Sequence, residues 1–273
     1  MSSGLHLPPR LRAALRAPVV AAAIVAGYPV LLGMRLLLAP FERRRERFTS
    51  WYFRRWSGAV LGLLGLTVRV SGEPPAPPFL MVANHLSYVD ILVLASRLGC
   101  VFVSKAEVRG WPLLGPICRT LGTIFIDREA RRDIPRVIAE VERDLKKGRG
   151  VVLFPEGTSS AGLTVEPFKP PLLALAARAG QPVHYATLAY RTTGAGDPPA
   201  HQSVAWSGGV PFAQHAWGLL HLQAIEATVR FAPEPIFETD RKRLAERLRQ
   251  AILAELRPAL PRVNEELIEG AER

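Results

Sequence analysis

Apolar and polar positions divide the chain into two parts at about residue 66. In the first part an uncharged stretch runs from Ala17 to Met34, with Arg10, Arg12 and Arg16 before it and Arg35 and the cluster Arg43-Arg44-Arg45-Glu46-Arg47 after it. Its length is at the lower edge of the ~20 residues that cross a bilayer. Pro18, Gly27 and Pro29 interrupt it, and basic residues at both ends give no single positive side. The pattern predicts a membrane-embedded helical hairpin or interfacial helix pair within residues 1–66, with one full span as the alternative. A cleaved secretory leader shares the basic start and apolar centre, but no persuasive small-x-small cleavage site precedes a polar mature start. Further along, Phe48, Trp51, Tyr52, Phe53 and Trp56 interleave with Arg47, Arg54 and Arg55, and Val60 to Leu66 is apolar again. Rings beside arginines suit the headgroup layer of a membrane. The same mixture can bind single-stranded nucleic acid, but the adjoining apolar surface is larger than such a site uses.

From Thr67 onward short β-branched runs alternate with helical spacing. Thr67 to Val70, Phe79 to Ala83, Val101 to Ser104, Thr123 to Ile126, Val151 to Phe154, Val183 to Ala189 and Ala227 to Phe231 read as strands. Gly72 to Pro78, with four prolines, is a connector. Ile134, Val137, Ile138, Val141 and Leu145 mark a helix over Ile134 to Lys147; Pro171 to Ala179 is a second helix and the arginine-rich Asp240 to Leu256 a third. This alternation predicts an α/β domain over residues 67–273, a mainly parallel mixed sheet flanked by helices, joined to the N-terminal membrane-associating segment.

Composition narrows the class of partner. Apolar residues make up 48% of the 273, which excludes a disordered chain, and 35 Lys and Arg against 24 Asp and Glu give a net charge of +11. Such a balance favours nucleic acid, membrane phospholipid or a phosphorylated substrate. Cys100 and Cys118 have no metal-type spacing and fit small core residues in a reducing cytosol. His184, His201, His215 and His221 form no His-Glu-x-x-His or related set, so no metal is expected.

The chemistry concentrates at strand exits, where open α/β sheets place ligands. In Asn84-His85-Leu86-Ser87-Tyr88-Val89-Asp90 the histidine and aspartate are five positions apart, which on one helix would put them on different faces. His85 therefore belongs to the turn before the helix. Ser87-Tyr88-Val89-Asp90 fits a capping box, with Ser87 as the N-cap and Asp90 folding back towards His85. A carboxylate on one imidazole nitrogen fixes the tautomer and frees the other nitrogen to take a proton. Arg128 follows the strand at Ile126 and suits a phosphate, or simply solvent. In Phe154-Pro155-Glu156-Gly157-Thr158-Ser159-Ser160, Gly157 permits a close backbone approach, and Glu156, Thr158, Ser159 and Ser160 suit a polyol or phosphate, or form an ordinary polar turn. Pro182 begins the next strand, where proline has a simple structural reason.

In this order these stretches resemble the phospholipid/glycerol acyltransferase family, whose best-known members are the 1-acyl-glycerol-3-phosphate acyltransferases. The Asn-His-x4-Asp box matches Asn84, His85 and Asp90, the Gly-x-x-Phe-Ile-x-Arg box matches Gly122 to Arg128, the Phe-Pro-Glu-Gly-Thr box matches Phe154 to Thr158, and the later proline matches Pro182. Lys105, Glu107, Trp111-Pro112, Gly115 and Pro167-Phe168-Lys169 look like family context, and the match covers about Phe79 to Ala189. One box alone is weak; four in order make chance a poor explanation.

The resemblance implies that His85 is a general base on a lysolipid hydroxyl, oriented by Asp90, and that the hydroxyl attacks the thioester of acyl-CoA or acyl-carrier protein directly. No Gly-x-Ser-x-Gly elbow or suitable cysteine points to an acyl-enzyme, and no cofactor is implied beyond the acyl donor. Arg128, Glu156, Gly157 and Thr158 would bind the acceptor's glycerol phosphate, with Asn84, Lys105, Ser159, Lys169 and Pro182 completing the substrate-binding set. The first expected acceptor is 1-acyl-sn-glycerol 3-phosphate, giving phosphatidic acid. Many glycerol-phosphate members carry arginine where this chain has Ser159, however. Thr158-Ser159-Ser160, Trp206-Ser207-Gly208, Pro211, His215 and Trp217 look like the bacterial branch with lyso-ornithine lipid acyltransferases, making lyso-ornithine lipid the alternative acceptor. Expected partners are thus a phospholipid bilayer, the lysolipid and the acyl donor, at the cytoplasmic face of the inner membrane, without nucleic acid. A thioesterase and a non-catalytic membrane-surface binding protein are the readings from other classes.

Overall fold

The computed structural model describes residues 7–127 and 130–256. α1 (Pro9–Leu37) and α2 (Glu42–Leu63) form a helical hairpin. Contrary to the interruption expected from its prolines, α1 continues through Pro18 and Pro29. Helix interiors normally disfavour proline, but packing against α2 holds this one. Tyr52 Oη donates to the Gly27 carbonyl at 2.7 Å, and Trp56 Nε1 donates to that of Ala23 at 3.0 Å. Gly27 is what lets the two helices approach: a Cβ there would fall 2.6 Å from Trp56 Nε1. Among the described residues α1 alone is long and apolar enough to cross a membrane.

The chain then runs β1 (Leu66–Ser71), β2 (Phe79–Ala83), α3 (Val89–Ala95), β3 (Cys100–Lys105), α4 (Leu114–Leu121), β4 (Ile124–Ile126), α5 (Ile134–Lys146), β5 (Gly150–Leu153), α6 (Ala174–Ala179), β6 (Val183–Thr192), α7 (Ala200–Ser203), α8 (Phe212–His221), β7 (Ile225–Phe231) and α9 (Arg241–Leu256). All seven expected strands are present. The expected helix over Pro171 to Ala179 is a 3₁₀ turn at Pro170–Leu173 followed by α6.

The strands make one sheet in the order β1-β7-β6-β2-β5-β3-β4. Pairing is parallel except between β6 and β7. The sheet is therefore mainly parallel and mixed, as the alternation predicts. β2 lies inside the sheet and is buried along its whole length, which explains its unbroken apolar run. Its alternate residues feed two cores. Phe79, Met81 and Ala83 join Phe53, Leu61, Leu94 and Phe102, while Leu80 and Val82 join Val137, Val141, Leu244, Leu248 and Ile252. Each face is thus covered, and the parallel strands deliver their C-terminal ends to one edge.

Candidate active site

β2 ends at Ala83, and the next side chain substitutes for a strand neighbour. Asn84 Nδ2 donates to the Leu188 carbonyl at 2.9 Å, and its Oδ1 accepts the Leu188 N–H at 2.8 Å. Both ends of this buried amide are engaged by β6, so Asn84 fixes where the following turn begins instead of facing a substrate as expected.

The His85 backbone is then held from both sides. Its N–H donates to Glu156 Oε1 at 2.5 Å, and its carbonyl accepts the Ser160 N–H at 2.9 Å. The next residue is treated likewise: Leu86 N–H donates to Asp90 Oδ2 at 2.7 Å and its carbonyl accepts the Trp206 N–H at 2.8 Å. With no free peptide group at His85 or Leu86, the imidazole has little freedom to drift.

Asp90, fully buried, gathers four donors. Oδ2 accepts His85 Nδ1–H at 2.7 Å, Leu86 N–H and, at 2.9 Å, Ser87 N–H; Oδ1 accepts the Tyr190 hydroxyl at 2.7 Å. The aspartate folds back to the histidine as the capping pattern predicts, but Ser87 is not the cap. Tyr88 takes the N-cap position, and the buried Ser87 Oγ has no partner among the described residues. The physical reason is that the Asp90 carboxylate reaches past the helix start onto two upstream N–H groups and does the capping itself. The His85 ring stacks on Phe154 with centroids 4.2 Å apart, and Phe154 stacks on Phe102 in turn. The imidazole side chain is 17% exposed. Nδ1 is committed to Asp90, and Nε2 has no hydrogen-bond partner among the described residues.

Glu156, expected in the acceptor site, has both carboxyl oxygens on backbone N–H groups. Its carboxyl is buried, with Oε1 on the His85 N–H and Oε2 accepting the Glu166 N–H at 3.0 Å. Burial pushes this carboxyl up to about 8 despite those two N–H groups, and the nearby Asp90 charge pushes the same way. Gly157 has φ of 79°, and a Cβ there would meet Lys169 Nζ at 2.7 Å, so the lysine amine lies directly over this glycine. Thr158 and Lys169 are exposed at this edge, and Lys105 is half-buried at the end of β3 beside it. The Ser159 hydroxyl donates to the Trp206 carbonyl. Arg128 lies outside the described residues. Pro182 is not part of the gathering: it precedes Val183, which pairs with Leu80 near the start of β2, about 13–16 Å of strand from the His85 turn.

One contributor is absent from the sequence motifs and two others stand in them without a contact assigned. Tyr190 lies a hundred positions from Asp90 on β6, and only the strand order brings it close. Phe154 supplies the surface under the imidazole. Trp206 uses its own N–H and carbonyl to join the turns at Leu86 and Ser159, and its ring belongs to an aromatic wall with Tyr88, Trp111 and Phe212. Tyr88 Oη donates to His215 Nδ1 at 3.1 Å while His215 Nε2–H donates to the Ala205 carbonyl. Burial lowers the pKa of His215, consistent with a neutral ring that buttresses this wall. Burial likewise raises both cysteine thiols, which disfavours the thiolate needed for nucleophilic attack.

The chain that carries this solvent-reaching histidine on a saturated carboxylate has relatives. The acyltransferase family model matches residues 67–190. The lyso-ornithine lipid O-acyltransferase of Pseudomonas aeruginosa is 35% identical over 254 residues, 89% of this chain and 93% of that protein. Its namesake from Rhizobium meliloti is 36% identical over 74% of this chain and 72% of its own length. The 1-acyl-sn-glycerol-3-phosphate acyltransferase of Neisseria meningitidis is 37% identical over a shorter stretch, 48% of this chain and 52% of its own. The fold is that of the crystal structure of the 1-acyl-sn-glycerophosphate acyltransferase from Thermotoga maritima, with a TM-score of 0.67 at 20% identity over 92% of this chain and 97% of that one. These similarities displace the non-catalytic binding protein as a reading: the chain belongs to the acyltransferase family and is an O-acyltransferase.

Proposed function

We propose that this enzyme esterifies the free hydroxyl of lyso-ornithine lipid, taking the acyl group from acyl-CoA or acyl-carrier protein at the cytoplasmic face of the inner membrane. Acylation of a lysolipid is common to the named relatives. The observation that carries the mechanism is the His85 Nδ1–Asp90 contact at 2.7 Å, which leaves Nε2 to receive a proton. Nε2 takes the proton from the acceptor hydroxyl as its oxygen bonds to the thioester carbon. The tetrahedral intermediate then breaks its C–S bond, and the imidazolium returns the proton to the departing thiolate. Ester and free thiol are the products. Atoms and charge balance with the two substrates alone, so the scheme requires no cofactor.

Asp90 and, through it, Tyr190 orient the imidazole and offset its charge once protonated. Glu156 and Asn84 position the turn, while Lys105, Gly157, Thr158 and Lys169 are left as the acceptor-facing group, with Arg128 assigned to it by the family resemblance alone. The choice of acceptor rests on Ser159. At a position that carries arginine in many glycerol-phosphate enzymes, its hydroxyl holds the Trp206 peptide, so that cation is replaced by an aromatic segment. Relatives that carry the lyso-ornithine name align over 74%, 89% and 90% of this chain. A glycerol-phosphate acceptor is the second reading, favoured by the amine of Lys169 over Gly157. The N-terminal hairpin, with the apolar α1, would hold the enzyme at the bilayer where either acceptor resides.

The test is product formation by purified protein in detergent, with acyl-CoA and acyl-carrier protein each offered with lyso-ornithine lipid and 1-acyl-sn-glycerol 3-phosphate. The expected outcome is ester formed with kcat/KM at least about tenfold higher on lyso-ornithine lipid, and Ser159→Arg shifting the ratio towards the phosphate acceptor. Free fatty acid as the sole product would sink the transferase scheme. An unchanged ratio in the variant would remove the acceptor argument.

A further inference from the structure

The ends of α1 and α4 and the start of α2 enclose an open groove of about 350 Å³, lined by Leu32, Arg35 and Leu36 from α1, Arg45 from α2 and Arg119 from α4. It lies away from the catalytic turn. Arg149, which immediately precedes β5, reaches the same charge cluster, so the groove belongs to the sheet edge where the parallel strands start, opposite the edge that carries His85.

Its guanidiniums outnumber their counter-charges. Glu46 is the carboxylate for three of them, at 3.3 Å from Arg149, 3.6 Å from Arg45 and 3.9 Å from Arg35. Arg149 also has Asp144, and Arg35 donates to Thr49 Oγ1. Arg119 has a backbone carbonyl, that of Arg109 at 3.3 Å, and no carboxylate partner among the described residues. Arg45 Nε is enclosed yet has no hydrogen-bond partner among the described residues. Arg45 Nε faces Glu46 at ion-pair distance only, and an excess of guanidiniums over carboxylates, with Arg119 lacking a carboxylate partner among the described residues, suits an anion with several acceptor oxygens; phosphate matches the guanidinium fork.

The groove's other wall says what carries that phosphate. Leu32 is 40% and Leu36 67% exposed, and they continue the apolar outer surface of α1 through Val30 and Val25. A small water-soluble phosphate would leave these leucines bare, whereas a lipid covers them with its chains while its headgroup reaches the arginines. We propose that the groove binds the phosphate of an anionic phospholipid, a resident lipid distinct from the acceptor being acylated.

The experiment uses the full chain in a neutral detergent and follows its melting temperature as lipid is titrated into the micelles. Dioleoyl phosphatidylglycerol, dioleoyl phosphatidylcholine and inorganic phosphate are the probes. Phosphatidylglycerol is expected to raise the melting temperature in a saturable way, with the other two giving much smaller shifts. The double variant Arg45→Gln/Arg119→Gln should need about tenfold more phosphatidylglycerol for the half-maximal shift, and Arg45→Lys/Arg119→Lys should recover part of the loss. Arg241→Gln/Lys242→Gln removes the same charge from α9 and should respond like wild type. Acylation activity, which Arg45 and Arg119 do not serve, verifies that each variant is folded. Equal responses to the two lipids, an equal shift with inorganic phosphate, or an equal loss in the α9 variant would each overturn the proposal.

Discussion

The turn after β2 and the groove at the ends of α1, α2 and α4 occupy opposite edges of one sheet and treat polar groups in opposite ways. At the turn, His85 and Leu86 have both backbone groups engaged, and Asp90 accepts four hydrogen bonds. At the groove, three arginines share Glu46 and Arg45 Nε has no hydrogen bond among the described residues. Under the two proposals above, the contrast separates two kinds of site. A base that must take a proton at one defined atom gains from neighbours that cannot rotate away. Reversible capture of a headgroup instead needs donors that are not already engaged by the protein.

The largest effect should come from the one atom the turn leaves free. His85→Ala removes the base and is expected to lower kcat by about 10³-fold, read as ester formed per minute; a residual rate within tenfold of wild type would place the base elsewhere. Asp90→Asn is next, at about 10²-fold. The asparagine oxygen can still face the His85, Leu86 and Ser87 donors while its amide faces Tyr190, whose hydroxyl turns to accept. The geometry is therefore retained and the charge beneath the imidazolium is lost, so a near-normal rate would show that orientation alone suffices.

Glu156→Gln probes the support one step back. Glutamine must turn its NH₂ towards one of two backbone N–H groups, at a cost of ~1–3 kcal/mol, and the rate should fall about tenfold as the His85 peptide shifts. This substitution also has a pH signature. The Glu156 carboxyl is raised in the folded protein to about 8 from an ordinary value of 4.5. A raised pKa contributes stability that is complete below the unfolded value and disappears as pH climbs through the folded one. Wild type should accordingly lose denaturant resistance between about pH 4.5 and 8 relative to Glu156→Gln, and parallel pH profiles would contradict the assignment. Tyr190→Phe should have the smallest effect: loss of one hydrogen bond to a charged group, ~2 kcal/mol of stability, with only a few-fold fall in kcat. Its effect should shrink in the Asp90→Asn background, because the two residues act through one contact.

The strands were legible because apolar runs such as Phe79 to Ala83 and Val151 to Phe154 are buried on both faces and carry no polar interruption. His85 and Asp90 were legible from their spacing, which only a turn before a helix can accommodate. Tyr190 was not, since it reaches the turn only through strand order; Trp206 stood out in the Trp206-Ser207-Gly208 stretch, but its peptide contacts leave no local pattern. Asn84 and Glu156 were located, but their backbone partners were not foreseen. A polar side chain beside a catalytic histidine looks the same in sequence whether it faces a ligand or a backbone N–H. The continuity of α1 was hidden for a related reason, because its prolines are local facts and the packing of Trp56 and Tyr52 on Ala23 and Gly27 is not.

Trp206 has a consequence for anyone who would retarget this enzyme. Its peptide is fastened on one side to Ser159 and on the other to Leu86, next to His85. On the proposed reading of Ser159 and His85, headgroup preference and turnover are consequently not separable modules. A graft that replaces residues 158–160 alone releases one end of that tie and loosens the other, so a successful transplant has to carry the 204–212 segment with it.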